Sequence, residues 1–446
     1  MLQQFIIDHQ NDDVAQLALQ RNRYPMLSDS DFRFCLQQID GRQRTHDKLP
    51  TFARIDGWLY PPRLNLEQCS SERTARFKAS LLLTLNSQTR SSNTQFKRAA
   101  INLIDATGGY GVDTFFMSEM ADETHYFEQN TDLAAIADHN FRLAGKSIHC
   151  HAEPFSLSSL SVSGLLSLSD GVPTTNRQWG AGSGLLLYLD PARRDNHGGK
   201  VFRLEDCTPN VIDIIRKIRE IRTEQPIRVL LKLSPMLDFH QAIAQLGGSW
   251  DVYIVSVNNE VKELLLLSEG TGQIHAVMLT DSGDHIFSFT LDEESTAEVQ
   301  TISNAQLKQY QTCNSNTQFI FEPDAALLKA GAFRLISARY GLMKAAPNTH
   351  LYFSDQLSTL KREAQTRSSN AQLSTLPGRW WQVLGVYTRT KEVQRVCTRA
   401  NILTRNYVLS ADALRKQLRL KDGGDDYIIG CRIADKPLLL HCRVCR

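Results

Sequence analysis

Carboxylates follow several apolar segments of this chain, each at the point where the segment ends. They are Asp105 after "AAINLI", Glu128 after "THYF", Glu153 after "KSIHCHA" and Asp190 after "LLLYL". Short apolar runs bounded by breakers are typical of strands buried on both faces of a parallel sheet. The carboxyl ends of parallel strands share one rim, and ligands of open α/β sheets bind outside that rim. We therefore expect the four carboxylates to converge on one ligand cleft.

The turn after the first of these strands is rich in glycine. It reads "LIDATGGYGVD" and contains Thr107, Gly109, Gly111 and Asp113. Glycines at this place let the backbone approach a ligand closely at the start of a helix. The signature for nicotinamide dinucleotides needs a further glycine at position 114, where this chain has threonine. The pattern fits instead the first motif of Rossmann-like S-adenosylmethionine (SAM) enzymes, with a structural glycine turn as the alternative.

Two of the carboxylates extend this predicted cofactor site. Glu128 lies 17 residues after Gly111, where a carboxylate can accept both ribose hydroxyls of a nucleoside. Glu153 can meet the adenine amine. The predicted cofactor-binding residues are Asp105, Thr107, Gly109, Gly111, Asp113, Glu128 and Glu153. His149 and His151 flank the third strand end without a clear third ligand, so we interpret them as structural and predict no metal site.

The fourth strand delivers "DPARRD" to the same rim. In methyl transfer the enzyme chiefly orients the acceptor and excludes water. In amino-methyltransferases an Asp/Asn-Pro-Pro-aromatic turn holds the amine, and its ring stacks on the flipped base. Asp190 and the Pro191 carbonyl can hold an amine, and Arg193 or Arg194 can stack or contact phosphate. We predict Asp190, Pro191 and Arg193 as catalytic, although the motif's aromatic ring is missing.

Further charged residues suggest substrate contacts. Lys232 and Asp238 in "KLSPMLD" follow the fifth strand, either as substrate contacts or as a structural ion pair. Residues 389–446 hold 13 Lys/Arg against 6 Asp/Glu, a local excess of +7. Such a segment suits a polyanion, nucleic acid first, or is a solvated basic surface. The predicted substrate-binding residues are Lys232, Asp238, Arg405 and Lys421.

Bulk properties bound the class of protein. A chain of 446 residues exceeds what one hydrophobic core normally serves, so we expect two to four domains. With 42% hydrophobic and 22% charged residues the composition is that of a globular protein. Neither a signal peptide nor a membrane helix is recognisable, and nine scattered cysteines fit a reducing compartment. We expect a cytoplasmic protein.

The predicted secondary structure that positions these residues changes along the chain. Helical patterns fill the first ninety residues, and strands alternate with helices from about 91 to 270, which predicts an α/β parallel-sheet domain. The Ser- and Gly-rich stretch 156–183 interrupts this alternation and is interpreted as an extended loop, either a lid or a passive insertion. After 270 the pattern is that of smaller α+β modules.

Taken together, the motifs resemble those of the class I SAM-dependent methyltransferases that carry a C-terminal THUMP-like domain. They are "LEQCSSERTARFKASL", "DATGGYGVD", "LDPARRD", "KLSPMLD", "EPDAALLKAGAF" and "NILTRNYVLSADALRKQLRLKDGGDDY". The resemblance covers nearly the whole chain. It implies a helical N-terminal region at 1–90, a Rossmann-like methyltransferase core at 91–270, a ferredoxin-like segment at 271–322, a helical connector at 323–375 and a THUMP-like domain at 376–446.

This resemblance also frames the function. THUMP domains elsewhere bind RNA, so it implies an RNA partner, tRNA or rRNA, besides SAM as cofactor. The first hypothesis is an active methyltransferase that modifies a nucleobase of RNA, with an exocyclic amine favoured. The second is a SAM- or RNA-binding protein that has lost turnover. Intact Asp105, Gly109, Gly111, Glu128 and Asp190 favour the first, while Thr114 disfavours a dehydrogenase.

Overall fold

The structure is a computed structural model that describes residues 1–88, 101–156, 184–193, 204–221, 227–281, 283–312, 318–354 and 376–445. The described chain forms two compact units. One comprises Met1–Trp250 with Leu265–Gly270, and the other comprises Asp251–Leu264 with Thr271–Arg446. The greater part of the Ser-rich stretch, residues 157–183, and Arg194 lie outside the described residues.

The first unit contains a parallel sheet, as the sequence predicts. Its strands are β1 (Ile101–Asp105), β2 (Glu123–Phe127), β3 (His149–His151), β4 (Gly184–Leu189), the two-residue strands β5 (Ala192–Arg193) and β6 (Cys207–Thr208), and β7 (Ile227–Leu233). Within the described part of this unit, five of them pair in the order β3-β2-β1-β4-β7, all parallel. The first strand in sequence therefore lies in the middle.

Helices cover this sheet, which explains why its central strands are apolar throughout. The α-helices of the first unit are Leu2–Asp8, Val14–Leu19, Asp29–Thr45, Pro50–Ala53, Arg63–Gln68, Glu72–Gln88, Val112–Met117, Thr131–Leu143, Val211–Glu220 and Phe239–Leu246. Every residue of β1 is buried, and so are the last four residues of β4. A strand buried on both faces needs a continuous apolar run rather than an alternating one.

The N-terminal helices pack against the Gly-rich turn within this unit. The indole Nε1 of Trp58 donates to the Tyr110 hydroxyl at 2.7 Å, and that hydroxyl donates to the Leu59 carbonyl at 3.0 Å. The ring of Phe52 stacks on Trp58 at a centroid distance of 4.1 Å and meets the Phe115 ring edge-on at 4.9 Å. The predicted N-terminal region therefore shares its core with the Rossmann-like sheet.

The second unit contains two strand systems. Its strands are β8 (Trp250–Val257) and β9 (Glu260–Ser268), each of which has residues in both units, then β10 (Ile274–Thr280), β11 (Gly283–Phe289), β12 (Phe319–Pro323), β13 (Met343–Ala346), β14 (Thr349–Ser354), β15 (Gly378–Tyr387), β16 (Asn401–Arg405), β17 (Asp426–Ile433) and β18 (Lys436–Val444). Its α-helices are Leu291–Thr296, Asn304–Thr312, Ala325–Ala330, Phe333–Tyr340, Thr390–Val396 and Ala411–Leu418. The predicted hairpin is β10–β11, which is antiparallel, and β10 pairs with β8 in parallel.

A sheet of seven strands, counted in the described residues, runs through the C-terminal half in the order β13-β14-β12-β15-β18-β17-β16. The segment predicted as a helical connector, 323–375, contains two helices but also the strand pair β13–β14. The helical pattern of "AALLKAGAFRLISARYG" stops at Gly341, whose φ of +62° ends the helix. After it, Ala345, Leu351 and Phe353 are buried in the core of this sheet.

Candidate cofactor and acceptor site

The Gly-rich turn joins β1 to the helix Val112–Met117 and leaves room for a ligand. Gly109 and Gly111 have φ angles of +60° and +79°, a region that glycine adopts without strain. A Cβ on Gly108 would lie 2.1 Å from the Tyr126 ring, and one on Gly111 would lie 2.5 Å from the Phe141 ring. Side chains at these two positions would push the turn away from β2 and its following helix. The glycines therefore allow the backbone of the turn to lie close against these two rings.

Asp105 closes β1 in a fully buried position. The Thr107 amide donates to its Oδ1 at 3.0 Å, and the Thr114 hydroxyl donates to its Oδ2. Burial raises the pKa of Asp105 to about 7, and the nearby Asp113 and Asp190 carboxylates act in the same direction. The threonine that breaks the dinucleotide signature thus holds the carboxylate of the first motif.

Glu128 follows β2 and faces the glycine turn. Its Oε2 accepts a hydrogen bond from the Gly109 amide at 2.8 Å, and its Oε1 accepts one from the Asn130 amide at 2.7 Å. Each carboxylate oxygen has a second lone pair that can accept a hydroxyl. The carboxylate is therefore fixed in orientation and retains the capacity to bind a ribose.

Asp190 lies directly after β4 and is tied to two neighbouring strands. Its amide donates to the Thr107 hydroxyl at 2.6 Å. Its Oδ2 accepts a hydrogen bond from Nζ of Lys232, at the end of β7, at 2.7 Å. The backbone that follows is held as well, because Ala192 and Arg193 pair antiparallel with Thr208 and Cys207. The carboxylate is thus presented on a restrained loop.

Behind this rim lies a buried charge network centred on Asp113. Lys78, whose side chain is 0% exposed, places Nζ 3.1 Å from Oδ1 of Asp113. Oδ2 of Asp113 accepts hydrogen bonds from the hydroxyls of Ser70 at 2.8 Å and Tyr188 at 2.6 Å. Burial alone would raise the pKa of Asp113, but Lys78 and Lys232 hold it at about 2. Asp113 therefore stays ionised.

These residues line a cavity of about 670 Å³ in the first unit. Its lining combines the glycine turn, the carboxylates and part of the N-terminal region: Asn65, Gln68, Cys69, Ser70, Asp105, Thr107, Gly108, Gly109, Tyr110, Gly111, Asp113, Glu128, Tyr188, Asp190 and Pro191. A cavity of about 220 Å³ adjoins it at Thr107, Glu128 and Asp190, and Phe155 contributes an aromatic wall there. A site of this size suits a nucleoside-sized ligand.

The structure places two predicted residues differently from the expectation. Glu153 lies two residues beyond β3, is exposed and does not line either cavity, whereas Phe155 lines the smaller one. Asp238 caps the helix Phe239–Leu246 by accepting from the His240 amide at 2.9 Å, and it does not form the alternative ion pair with Lys232. The side chain of Arg193 lies outside the described residues, and the substrate contact of Asp238 stays a prediction.

The two predicted substrate residues of the C-terminal unit differ in environment. Arg405 places both Nε and a terminal nitrogen 2.5 Å from Oε1 of the buried Glu322. Its guanidinium therefore forms an ion pair within this unit, and the expected RNA contact of Arg405 stays a prediction. Lys421 is exposed, and its amide donates to the Thr398 carbonyl at 3.1 Å.

Sequence reasoning missed the contribution of the N-terminal region to the site. Lys78 lies on the apolar stripe of the helix Glu72–Gln88, together with Ala75, Leu81, Leu82 and Leu85, all of them buried. A lysine at such a position is rarely fully buried unless it is paired. That single charge on an apolar helix face was the available signal for a buried acidic partner.

Several histidines and Cys397 lie in local clusters away from the cavity. Nδ1 of His125 lies 3.0 Å from Nε2 of His151 across β2 and β3. Within the described residues, Cys397, Asp426 and His441 have possible ligand atoms within 4.8 Å of one another. In the structure Asp426 already pairs with His441 at 2.8 Å and with Arg443 at 2.7 Å. The carboxylate of Asp426 thus has both a histidine and an arginine as partners in the structure.

Comparison with family models identifies two domains in the C-terminal half. A model for a ferredoxin-like domain matches residues 319–359, and a model for a THUMP-like domain matches residues 378–444. The ferredoxin-like match thus covers β12 to β14 rather than the segment 271–322 suggested by sequence. The physical reason is that β10 pairs with β8, whereas β12 belongs to the seven-stranded sheet.

Comparison with whole proteins gives the enzyme class. The chain is 26% identical over 323 residues, 71% of this chain and 78% of the relative, to an uncharacterized S-adenosylmethionine-dependent methyltransferase of Mycobacterium tuberculosis, strain H37Rv. It resembles the crystal structure of a protein described as a methyltransferase from Porphyromonas gingivalis W83, with 25% identity, 100% of this chain and 98% of that chain covered, and a TM-score of 0.74. These matches confirm what the sequence predicts: a SAM-dependent methyltransferase with C-terminal ferredoxin-like and THUMP-like domains.

Proposed function

We propose that this methyltransferase transfers a methyl group from SAM to a nucleobase of RNA, an exocyclic amine being the favoured acceptor. The observation that carries the proposal is the placement of Asp190. Asp190 lines both adjoining cavities; its carboxylate is held by Lys232, and its backbone amide donates to the Thr107 hydroxyl. A fixed carboxylate beside a cofactor cavity can orient an amine without having to reorganise during the reaction.

The residues around the larger cavity suit SAM. The glycine turn would bring backbone amides close to the cofactor, and a Cβ at Gly108 or Gly111 would displace the turn by clashing with the Tyr126 or Phe141 ring. Glu128 would accept the ribose hydroxyls, and Phe155 and Pro154 would wall the adjoining space. Asp105 would offer a carboxylate toward the positive groups of the cofactor. When bound, SAM supplies an electrophilic methyl group on its sulfonium.

At the acceptor, the protein's task is orientation. Oδ1 of Asp190, opposite the oxygen that accepts from Lys232, and the Pro191 carbonyl would accept the two protons of an amine and aim its lone pair at the methyl carbon. Bound SAM would supply the methyl group from its sulfonium, so that a nitrogen–carbon bond replaces the sulfur–carbon bond and S-adenosylhomocysteine is the leaving group. The methylated nitrogen then loses one proton, for which Asp190 is the nearest proposed acceptor. Exclusion of water by the cavity wall would favour this displacement.

An RNA substrate is supported by the THUMP-like match and by exposed cations in that domain. Arg399 and Lys421 are partners in a parallel β-bridge, so their side chains project to the same side. Arg419 lies two residues before Lys421, and Lys416 lies in the preceding helical turn. All four residues are exposed to solvent. We call Arg399, Lys416, Arg419 and Lys421 the basic surface and propose that it contacts phosphates.

The proposed activity can be tested with RNA that lacks the modification. Purified protein would be incubated with [methyl-³H]SAM and total RNA from a strain in which the gene is deleted. We expect label in that RNA and much less in RNA from the parent strain, whose sites are already methylated. Equal or absent labelling of the two RNA pools would contradict an RNA substrate.

The alternative, a binding protein without turnover, makes a different prediction. Such a protein would bind SAM but label no RNA from the deletion strain.

We further propose a cytoplasmic location. Among the described residues, none of the helices has the length and apolar character that crossing a membrane requires.

A further inference from the structure

We propose that Lys232 is a positioning residue of the acceptor site, and that Ser70 of the N-terminal region holds Lys232 against Asp190. This inference rests on the proposed role of Asp190 as the group that orients the acceptor. It changes the predicted role of Lys232 from a substrate contact to a residue that acts through Asp190.

The first step is the geometry of Lys232. Its Nζ donates to Oδ2 of Asp190 at 2.7 Å and to Oγ of Ser70 at 3.0 Å, and it lies 3.7 Å from Oδ2 of Asp113. The lysine side chain is 12% exposed, whereas that of Asp190 is 40% exposed. The ammonium therefore approaches Asp190 from the protein side and leaves the other carboxylate oxygen toward the cavity.

The second step is the saturation of Ser70. A serine hydroxyl can donate one hydrogen bond and accept two. Here it donates to Asp113 at 2.8 Å and lies within accepting distance of Lys232 at 3.0 Å and Lys78 at 3.3 Å. The Ser70 hydroxyl thus uses its donor and both acceptor positions, and it links both lysines to the Asp113 carboxylate. Removing the hydroxyl would leave two ammonium groups with one partner fewer each.

The third step is the charge around Asp190. Asp105 from β1 and Asp113 from the helix Val112–Met117 are the carboxylates that face this network, and Glu128 lines the same cavity. Lys232 from β7 and Lys78 from the helix Glu72–Gln88 are the cations. Among the described residues, Lys232 is the cation in contact with Asp190. Without it, the carboxylate of Asp190 would lose the contact that holds it in place against the amine.

The inference explains why the N-terminal region is built into the site. Ser70 and Lys78 come from this region, while Asp113, Asp190 and Lys232 come from the sheet domain. The hydrogen-bonded network around Asp190 is therefore complete only when the N-terminal region, with Ser70 and the helix Glu72–Gln88, is packed against the sheet.

The test uses two pairs of variants in the full-length protein. Lys232→Met removes the ammonium, and Lys232→Arg keeps a cation. Ser70→Ala removes the hydroxyl, and Ser70→Thr keeps it. We expect Lys232→Met and Ser70→Ala to lower kcat for labelling of the deletion-strain RNA by at least tenfold, with SAM affinity within about twofold of wild type. The conservative partner of each pair should restore a large part of the loss, and Lys262→Met, at an exposed ion pair, serves as a control.

A comparison of kcat with KM separates positioning from a purely structural role. We expect Lys232→Met to lower kcat while the KM for SAM stays near the wild-type value, because the lysine contacts Asp190 and not the cofactor. A loss of SAM affinity and melting temperature that parallels the loss of kcat, or an unchanged kcat, would overturn the inference.

A second measurement keeps the inference separate from the identity of the substrate. Carboxyl ¹³C chemical shifts of aspartate-labelled protein would report the surroundings of Asp190, whose signal is assigned by its absence in Asp190→Asn. We expect this signal to move in Lys232→Met and to return towards its wild-type position in Lys232→Arg. If wild type labels no RNA but this change is seen, the proposed function fails and the positioning role stands; if the signal is the same in Lys232→Met as in wild type, the positioning role fails.

Discussion

Oε2 of Glu128 accepts a hydrogen bond from the Gly109 amide at 2.8 Å, which links the end of the second strand to the glycine turn after the first. This contact fixes the carboxylate at the place where a bound nucleoside would present its ribose. It also means that two residues predicted separately as cofactor ligands act as one structural element.

The first prediction concerns this carboxylate. Glu128→Gln should weaken SAM binding by about 1–3 kcal/mol, roughly 5- to 150-fold, because a charged acceptor of hydroxyls is replaced by a neutral amide. Isothermal titration calorimetry measures the change. Glu119→Gln, at an ion pair with Lys146, is the matched control and should bind SAM like wild type. Binding of NADH in preference to SAM would refute the cofactor assignment.

Asp190 supplies the second prediction. Asp190→Ala should abolish labelling of deletion-strain RNA while SAM affinity remains within a few-fold of wild type, because the residue is used on the acceptor rather than on the cofactor. Filter binding and calorimetry give the two numbers. A parallel loss of SAM binding would instead make Asp190 a cofactor or structural residue.

Buried Asp105 leads to a prediction about stability and pH. Its pKa is raised to about 7 in the folded protein, above the ordinary value of 3.8, so the folded state holds this proton more tightly than the unfolded state. Stability from this group is therefore present at acidic pH and is lost as the pH rises from about 4 to 7. The free energy of unfolding of Asp105→Asn should therefore rise relative to that of wild type along this range, by on the order of 2–4 kcal/mol at pH 8.

Denaturant unfolding of the two proteins at pH 5 and pH 8 checks this sign. The difference between Asp105→Asn and wild type should be larger at pH 8. A difference that is equal at both values, or larger at pH 5, would show that Asp105 is not protonated by burial. The same variant should lose affinity for SAM, since an amide does not attract its positive groups.

The basic surface of the THUMP-like domain gives a prediction about salt. Replacing Arg399, Arg419 and Lys421 by glutamine should weaken RNA binding and lower the slope of log K against log salt by about 2–3, because each phosphate contact contributes about 0.9 to that slope. Fluorescence anisotropy with structured RNA at several salt concentrations measures both quantities.

A charge-matched control is available in the first unit. Arg33, Arg54 and Arg216, changed together to glutamine, alter net charge by the same amount. If this control lowers the salt slope as strongly as the triple change in the basic surface, the effect reflects net charge and not a binding surface. Point variants are needed for this test, because β12 pairs with β15 and a truncation before β15 would expose the β12 edge.

The sequence predicted the sheet domain well because its signals are local. Apolar runs with carboxylates at their ends identified β1, β2 and β4, and the glycine turn gave the ligand side of the sheet. The hairpin β10–β11 was also correct. Each of these features depends on residues adjacent in the chain, so no knowledge of distant packing was needed.

The buried network was not predictable in the same way. Ser70 and Lys78 lie in the sequence well before Asp113 and Lys232, and only the docked helix brings them together. Glu153 and Asp238 have the residue type and position expected of site residues, yet one is exposed beside β3 and the other caps a helix. Arg405 belongs to a basic segment, and its ion pair with Glu322, which lies 83 residues earlier, was not predictable from that segment.

The most direct test of the account is mass spectrometry of modified nucleosides from the RNA of three strains: wild type, the gene deletion, and the deletion complemented with Asp190→Ala. The account predicts that one methylated nucleoside present in wild type is missing from the deletion strain, returns with the wild-type gene and does not return with Asp190→Ala. Identical nucleoside profiles in the wild-type and deletion strains would contradict it.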